Sequence, residues 1–471
     1  MYLTVENIYL QGISLLIKII DTKNYLIENE IFEKSENREI FDTMNRWVDN
    51  VENEINEILS LYISKFSRSE IIDELFLKSS YEQIKYNQIV FKCILENFKF
   101  IPIQTPGDIL KLLVQQTITT HVSQEAKVGN IILKNIYEFN FSESEMKKPP
   151  VRELNQKTVP VVLSMTAVYS NNPLLWPLIL HEYGHAIFNT QENQKKSRLI
   201  KKQIKVFMKD NNIDENILDN NIAEVFSDLF GINYYGETYF FAFFFHEVLF
   251  NDVNTLLNLE TTNNSTEFKY TSHPPSLIRV KYMIKELNKY AIKSDNFEKF
   301  SSFLKPMLDR YDQEMSVKIP NNKEIYFKIY ELVSEYYGSG ESTVFGGTKY
   351  SGKKDVVKQL YECLIDKMPI GTYKKNNEEV HFTNSDKNEI FDLALPSKII
   401  DIINSGWKYF LQNLILPLYN NQENKIQYTS NEAYIKMKKD LDTFKIDYLY
   451  LLNNIIYSIE TSVITSNYLG D

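Results

Sequence analysis

Cysteine is almost missing from this chain: Cys93 and Cys363 are the only two in 471 residues, and they lie far apart. A disulfide framework is thereby excluded, and a reducing, cytoplasmic setting is expected. A thiolate zinc cluster is excluded too, so any metal must be held by histidines and carboxylates. Histidine is itself scarce, with six residues. A cationic excess is also lacking. Lys and Arg number 52 against 62 Asp and Glu, for a formal net charge of −10 and a sequence pI near 5.4. That excludes general nucleic-acid binding, which needs a basic face to neutralise phosphates. No apolar run reaches the ~18 residues of a spanning helix. The nearest, residues 239–250 (YFFAFFFHEVLF), contains His246 and Glu247 and reads as a buried core helix. The first twenty residues lack a basic n-region and a small-residue cleavage site. Glu6, Lys18 and Asp21 interrupt the early apolar pattern, so a signal peptide is not expected.

What is present is a globular composition, 43% hydrophobic. The length exceeds one ordinary core, so two or three domains, or one domain with helical elaboration, are expected. Residues 1–98 read as a helical N-terminal region. Its helical spacing runs through Ile8, Leu15, Ile19 and Ile20, then through Trp47, Val51, Ile55, Ile58 and Leu61. Residues 100–107 (FIPIQTPG) form a Pro/Gly break. Residues 130–141 and 158–168 are rich in β-branched side chains and read as strands. Between them, residues 142–150 (SESEMKKPP) read as an exposed loop. Asn172 with Pro173, or alternatively Pro177, marks a helix start. From residue 301 to 471 the chain reads as helical, apart from a flexible Gly/Ser-rich stretch at 338–352. The expected fold is mainly α with a small β-sheet (α+β). A catalytic unit at 99–300 would then be flanked by two helical regions.

The chemistry concentrates in His181-Glu182-Tyr183-Gly184-His185. Residues i and i+4 share a helix face, so the two imidazoles can grip one ion. Glu182, one step round, can reach a water in an open metal position and act as base. The neighbours Leu178, Ile179, Leu180, Ala186, Ile187 and Phe188 are apolar on nearly every side, as in a buried helix. Two surface histidines would be the alternative, but buried histidines need partners. The strand-like 158–168 segment is expected to run along the cleft, where it could pair with an extended substrate.

Hydrolytic zinc takes three protein ligands plus water. Glu224 and Asp228 are also i and i+4, on a helix with the apolar stripe Ala223, Phe226, Leu229 and Phe230. Two acids on one half-buried face repel unless a cation or donor lies between them. Glu224 as third ligand and Asp228 as acceptor for a ligand histidine's ring N–H would explain both. A solvated acidic pair is the alternative.

Three pieces then resemble the gluzincin peptidases, in particular the group of HtpX-like and CAAX prenyl proteases. They are HEYGH at 181–185, Glu-x-x-x-Asp at Glu224 and Asp228, and SHPPSLIRV at 272–280. The resemblance covers roughly residues 158–285. It implies a zincin fold with one zinc per chain on His181, His185 and Glu224, and Asp228 behind them. It also implies that His273 faces the transition state or supports the site, and that Arg279 organises the region around it. From the residues alone, His273 could equally be a turn residue before two prolines, and Arg279 a surface cation. Those relatives are embedded in membranes and this chain shows no spanning helix, so their membrane substrates are not carried over.

Other signals weigh less. The basic run at 195–205 (KKSRLIKKQIK) reads as a solvated helix face, or else as an arm that binds an acidic substrate segment. Residues 347–354 resemble a P-loop, but Lys354 stands where a magnesium-binding Ser or Thr would be. His121, His246 and His381 lack ligand spacing, although His246 beside Glu247 could sit under the metal site. The leading expectation is a soluble zinc endopeptidase acting on a protein or peptide substrate. Glu182 would be its base, and His273 or a nearby tyrosine would support the oxyanion. The alternatives are a protease toxin or regulated bacterial stress or defence protease, an aminopeptidase, or a non-enzymatic interaction protein with a structural metal. A regulatory partner could bind through the terminal helical regions.

Overall fold

A computed structural model describes residues 5–28, 38–67, 74–96, 131–136, 142–145, 161–166, 169–189, 191–210, 218–248, 273–289, 298, 300, 305, 308–309, 313, 323–338, 354–367, 371–373, 395–417 and 430–469. The chain is mainly α. The N-terminal region forms α1 (Val5–Glu28), α2 (Arg38–Ser67) and α3 (Glu74–Glu96). Three short strands follow: β1 (Ile131–Ile136), β2 (Ser142–Glu145) and β3 (Val161–Thr166). The site region contains α4 (Ile179–Phe188), α5 (Gln191–Asp210), α6 (Leu218–Tyr235), α7 (Glu237–Phe243) and α8 (Ser276–Lys289). The C-terminal region contributes α9 (Lys323–Gly338), α10 (Lys354–Ile365), α11 (Ile399–Tyr409) and α12 (Ser430–Leu469). The short β4 (Thr372–Tyr373) and β5 (Leu395–Pro396) pair antiparallel.

β3 runs parallel to β1 and antiparallel to β2. This corrects two expectations. Ser142–Glu145 is not loop: despite its polarity it has a strand partner in β3, and backbone hydrogen bonds do not require apolar side chains. β3 is also not an open edge for a substrate, because over residues 161–164 both its sides are taken.

α1 explains the pattern of the N-terminus. Every residue from 8 to 22 is buried, so this helix is surrounded by core on all sides rather than along one stripe. Its polar residues find partners there. Ser14 Oγ donates to the Phe245 carbonyl at 3.1 Å, and Lys18 Nζ to the His246 carbonyl at 3.2 Å. Asp21 accepts from Asn172 Nδ2 at 2.8 Å and from Tyr448 OH at 3.0 Å. One continuous apolar core runs from Ile8 to Ile459 and includes residues of all three expected regions. The expected boundary at 100–107 and residues 339–353 lie outside the described residues.

The aromatic segment is a core element, as expected. α7 and the π-turn Phe244–Val248 are buried apart from Glu237 and Glu247, with Phe241 and Phe245 packed on Trp407. Gly236 makes the fold-back from α6 possible, since its φ of 55° is strained for other residues. Among the described residues, no helix is long and apolar enough to cross a membrane.

Candidate metal centre

Pro177 lies in the first turn of a 3-10 segment, Trp176–Leu178, that leads directly into α4. Of the two expected starts, Pro177 is therefore inside the helical run. Asn172 shapes the turn ahead of it, its Oδ1 accepting the Leu174 N–H at 3.1 Å. At the other end, α5 closes α4. Asn193 Nδ2 donates to the Ile187 carbonyl at 2.8 Å, and Gln194 Nε2 to the Phe188 carbonyl at 3.1 Å. These bonds satisfy carbonyls that a helix end leaves without partners.

α4 packs against α6. At the crossing stands Gly184, where a Cβ would lie 2.8 Å from Ser227 Cα. Only glycine lets the two backbones approach this closely. The approach places Glu224 opposite the histidines. His181 Nε2 is 3.0 Å from Glu224 Oε2, His185 Nε2 is 3.3 Å from Glu224 Oε1, and the two Nε2 atoms are 3.1 Å apart. One ligand atom from each residue falls within a 4.8 Å cluster that can hold a metal ion. Donors about 2.0–2.1 Å from a tetrahedral metal are separated by about 3.3 Å, so these edges suit one ion.

Behind the ligands lies a buried polar network. Arg279 grips Asp228 with two bonds, Nε to Oδ2 at 2.7 Å and Nη2 to Oδ1 at 2.6 Å. Tyr239 OH donates to Asp228 Oδ1 at 2.9 Å and lies 3.1 Å from His181 Nδ1. Tyr330 OH donates to Asp228 Oδ2 at 3.1 Å. The second ring nitrogen of His181 is also 3.2 Å from Asp228 Oδ1. The Arg279 guanidinium lies over the Phe243 ring, 4.5 Å from its centroid. A buried carboxylate with this many donors is fixed in place and kept ionised.

The charges follow. Burial opposes ionisation of Glu224, but the His181 charge and hydrogen bonds from His181, His185 and His273 outweigh it. Its carboxyl is held well below the usual range. Asp228 is lowered likewise: burial opposes, and Arg279 dominates the pull downward. Burial alone would lower His181, yet Glu224 and Asp228 raise it to about 10. The two carboxylates thus favour positive charge at His181.

The remaining expected residues fall as follows. Glu182 is half-buried in the first turn of α4 and has no hydrogen-bond or ion-pair partner among the described residues. His273 stands at the rim with its side chain 54% exposed, and its Nε2 is 3.1 Å from Glu224 Oε1. Arg279 is buried on Asp228 and is no surface cation. His246 does not join the metal group. Its ring meets Tyr169 edge-on at 5.4 Å and its Nε2 lies 3.4 Å from Glu247 Oε1, because the π-turn directs it into the aromatic core. His121, His381 and the P-loop-like residues 347–353 lie outside the described residues.

Two tyrosines of the network escape sequence reading. Tyr239 is hidden in a run that reads as plain core, and Tyr330 comes from α9, far outside the resembling segment. Tyr239 is not placed to support an oxyanion. Its hydroxyl is committed to Asp228 on the Nδ1 side of His181, away from the ligand nitrogens. No protein family, curated protein or solved structure was found to match this chain.

Proposed function

We propose that the chain is a zinc-dependent endopeptidase with a zincin-like catalytic region, in which the paired strands β1–β3 form the small sheet beside α4. The observation that carries this reading is the meeting of His181, His185 and Glu224 from two packed helices, with Glu182 in the same turn as the first histidine. The two nitrogens and one oxygen suit zinc, and three protein ligands leave a position open, where a purely structural site uses four. Zinc bound there would polarise a peptide carbonyl and acidify a water. Glu182 takes the proton of the attacking water and passes it to the leaving amine. His273, exposed beside Glu224, donates to the developing oxyanion. Asp228 and Tyr239 hold the His181 ring so that Nε2 faces Glu224 and His185, with which it would hold the metal, and Arg279 keeps Asp228 charged. A chain with only two cysteines, Cys93 and Cys363, suits a reducing, cytoplasmic setting.

Replacing Glu182 by Gln should leave about one zinc per chain and lower hydrolysis of an unfolded protein substrate by about 10²–10⁴-fold. Metal analysis and a cleavage assay read the two effects separately. Undiminished cleavage would remove Glu182 as base, and metal-free protein after purification without chelator would remove the site. Mapping new N-termini in cells carrying wild type or the Gln variant then identifies the substrate.

A further inference from the structure

Helix α5 is sharply divided around its axis. Asn193, Ser197, Ile200, Ile204 and Met208 are buried, on a helix that packs against α9 and α6. The opposite face presents Lys195, Arg198, Leu199, Lys202, Val206 and Lys209, all exposed. Their steps of three, four and seven residues form one stripe. The stripe holds four cations, in a chain whose net charge is −10, and the exposed Asp210 beside it stands only at the helix's C-terminal end. None of the four cations has an ion-pair partner among the described residues. A face built only for solubility mixes both signs. Leu199 and Val206 break that purpose further, being 53% and 58% exposed between the cations. The face therefore complements a chain segment in which acidic and apolar residues are interspersed. A membrane surface fits less well, since interfacial helices insert several large apolar or aromatic side chains and this stripe has two aliphatic ones. The stripe is also coupled to the metal helix, because the bonds from Asn193 and Gln194 tie α5 to the end of α4.

We propose that the outward face of α5 is a docking surface for an acidic segment, spaced with apolar residues, of a protein substrate. Its use in presenting substrate rests on the peptidase reading, whereas the binding itself does not. The test measures binding of a fluorescent glutamate–leucine peptide to the full-length Glu182→Gln protein by anisotropy. Binding is expected, weakening as salt rises. The combined variant Lys195→Glu/Lys202→Glu/Lys209→Glu should weaken it by at least about tenfold, and Leu199→Ser/Val206→Ser by about threefold or more, with thermal unfolding and metal content unchanged. No peptide binding, equal binding by the charge-reversed protein, or binding to phosphatidylserine vesicles in place of the peptide would overturn the proposal. Unchanged binding by the Leu199→Ser/Val206→Ser protein would overturn it as well, by reducing the face to a general polyanion site. Peptide binding by a protein whose wild type cleaves nothing would uphold the docking surface while removing the peptidase reading.

Discussion

His181 shows how much of a metal centre lies behind its ligands. One ring nitrogen faces Glu224 and His185, and the other is held by Tyr239 and Asp228. Orientation of that ring therefore depends on Asp228, and Asp228 depends on Arg279, Tyr239 and Tyr330. Tyr330→Phe removes one donor from a buried carboxylate while keeping its ring stacked on Tyr282 at 3.9 Å. It should cost about 1–2 kcal/mol of stability and weaken metal binding by about tenfold, read by denaturant unfolding and chelator competition. The His181 proton gives a second expectation. With its pKa raised from 6.5 to about 10, protonation stabilises the metal-free fold fully below the ordinary value, and this contribution is lost as pH rises through about 10. A metal must displace that proton, so affinity should rise with pH across neutrality. Calorimetric titration in buffers of different ionisation enthalpy should count about one proton released per metal at pH 7.

At the scale of elements, the α4–α6 crossing decides whether the ligands meet. Gly184→Ala would force a methyl against the Ser227 backbone at 2.8 Å, and backbone cannot turn aside as a flexible side chain can. The helices must separate, so a stability loss of about 1–3 kcal/mol is expected. Metal retention should fall with it, because Glu224 moves away with α6. Metal content of the purified variant checks this. The same crossing explains why HEYGH was readable while its partner was less so. The histidine pair is a local, i to i+4 feature of one helix, whereas Glu224 acquires its role only when a second helix packs across the first.

On the scale of the molecule, the terminal regions are part of the body that carries the site. Asp21 of α1 accepts from Asn172, just before the metal helix, and from Tyr448 of α12. Burial lifts its pKa to about 7 against the pull of those two donors and Lys18. The folded chain then holds a proton that the unfolded chain has lost above about pH 4. This contribution to stability falls as pH rises from about 4 to about 7 and is flat above. Comparing wild type with Asp21→Asn should reveal it as a stability difference that shifts by up to about 4 kcal/mol in favour of the variant across that window. Denaturant midpoints at several pH values provide the check, and a difference independent of pH would contradict it.

The sequence by itself determined the helical character of the terminal regions, the burial of the 239–248 segment, and the candidate ligands His181, His185 and Glu224 with Glu182 beside them. These properties are local. Helical period, apolar density and the spacing of two imidazoles on one turn are all written within a few residues. Tertiary structure decided that Asp228 is caged by Arg279, Tyr239 and Tyr330, that His246 belongs to the aromatic core, and that α1 lies inside it. It also decided that Ser142–Glu145 has a strand partner, which leaves β3 no open edge along residues 161–164. Each of these depends on which distant surface an element meets, and period and composition carry no record of that.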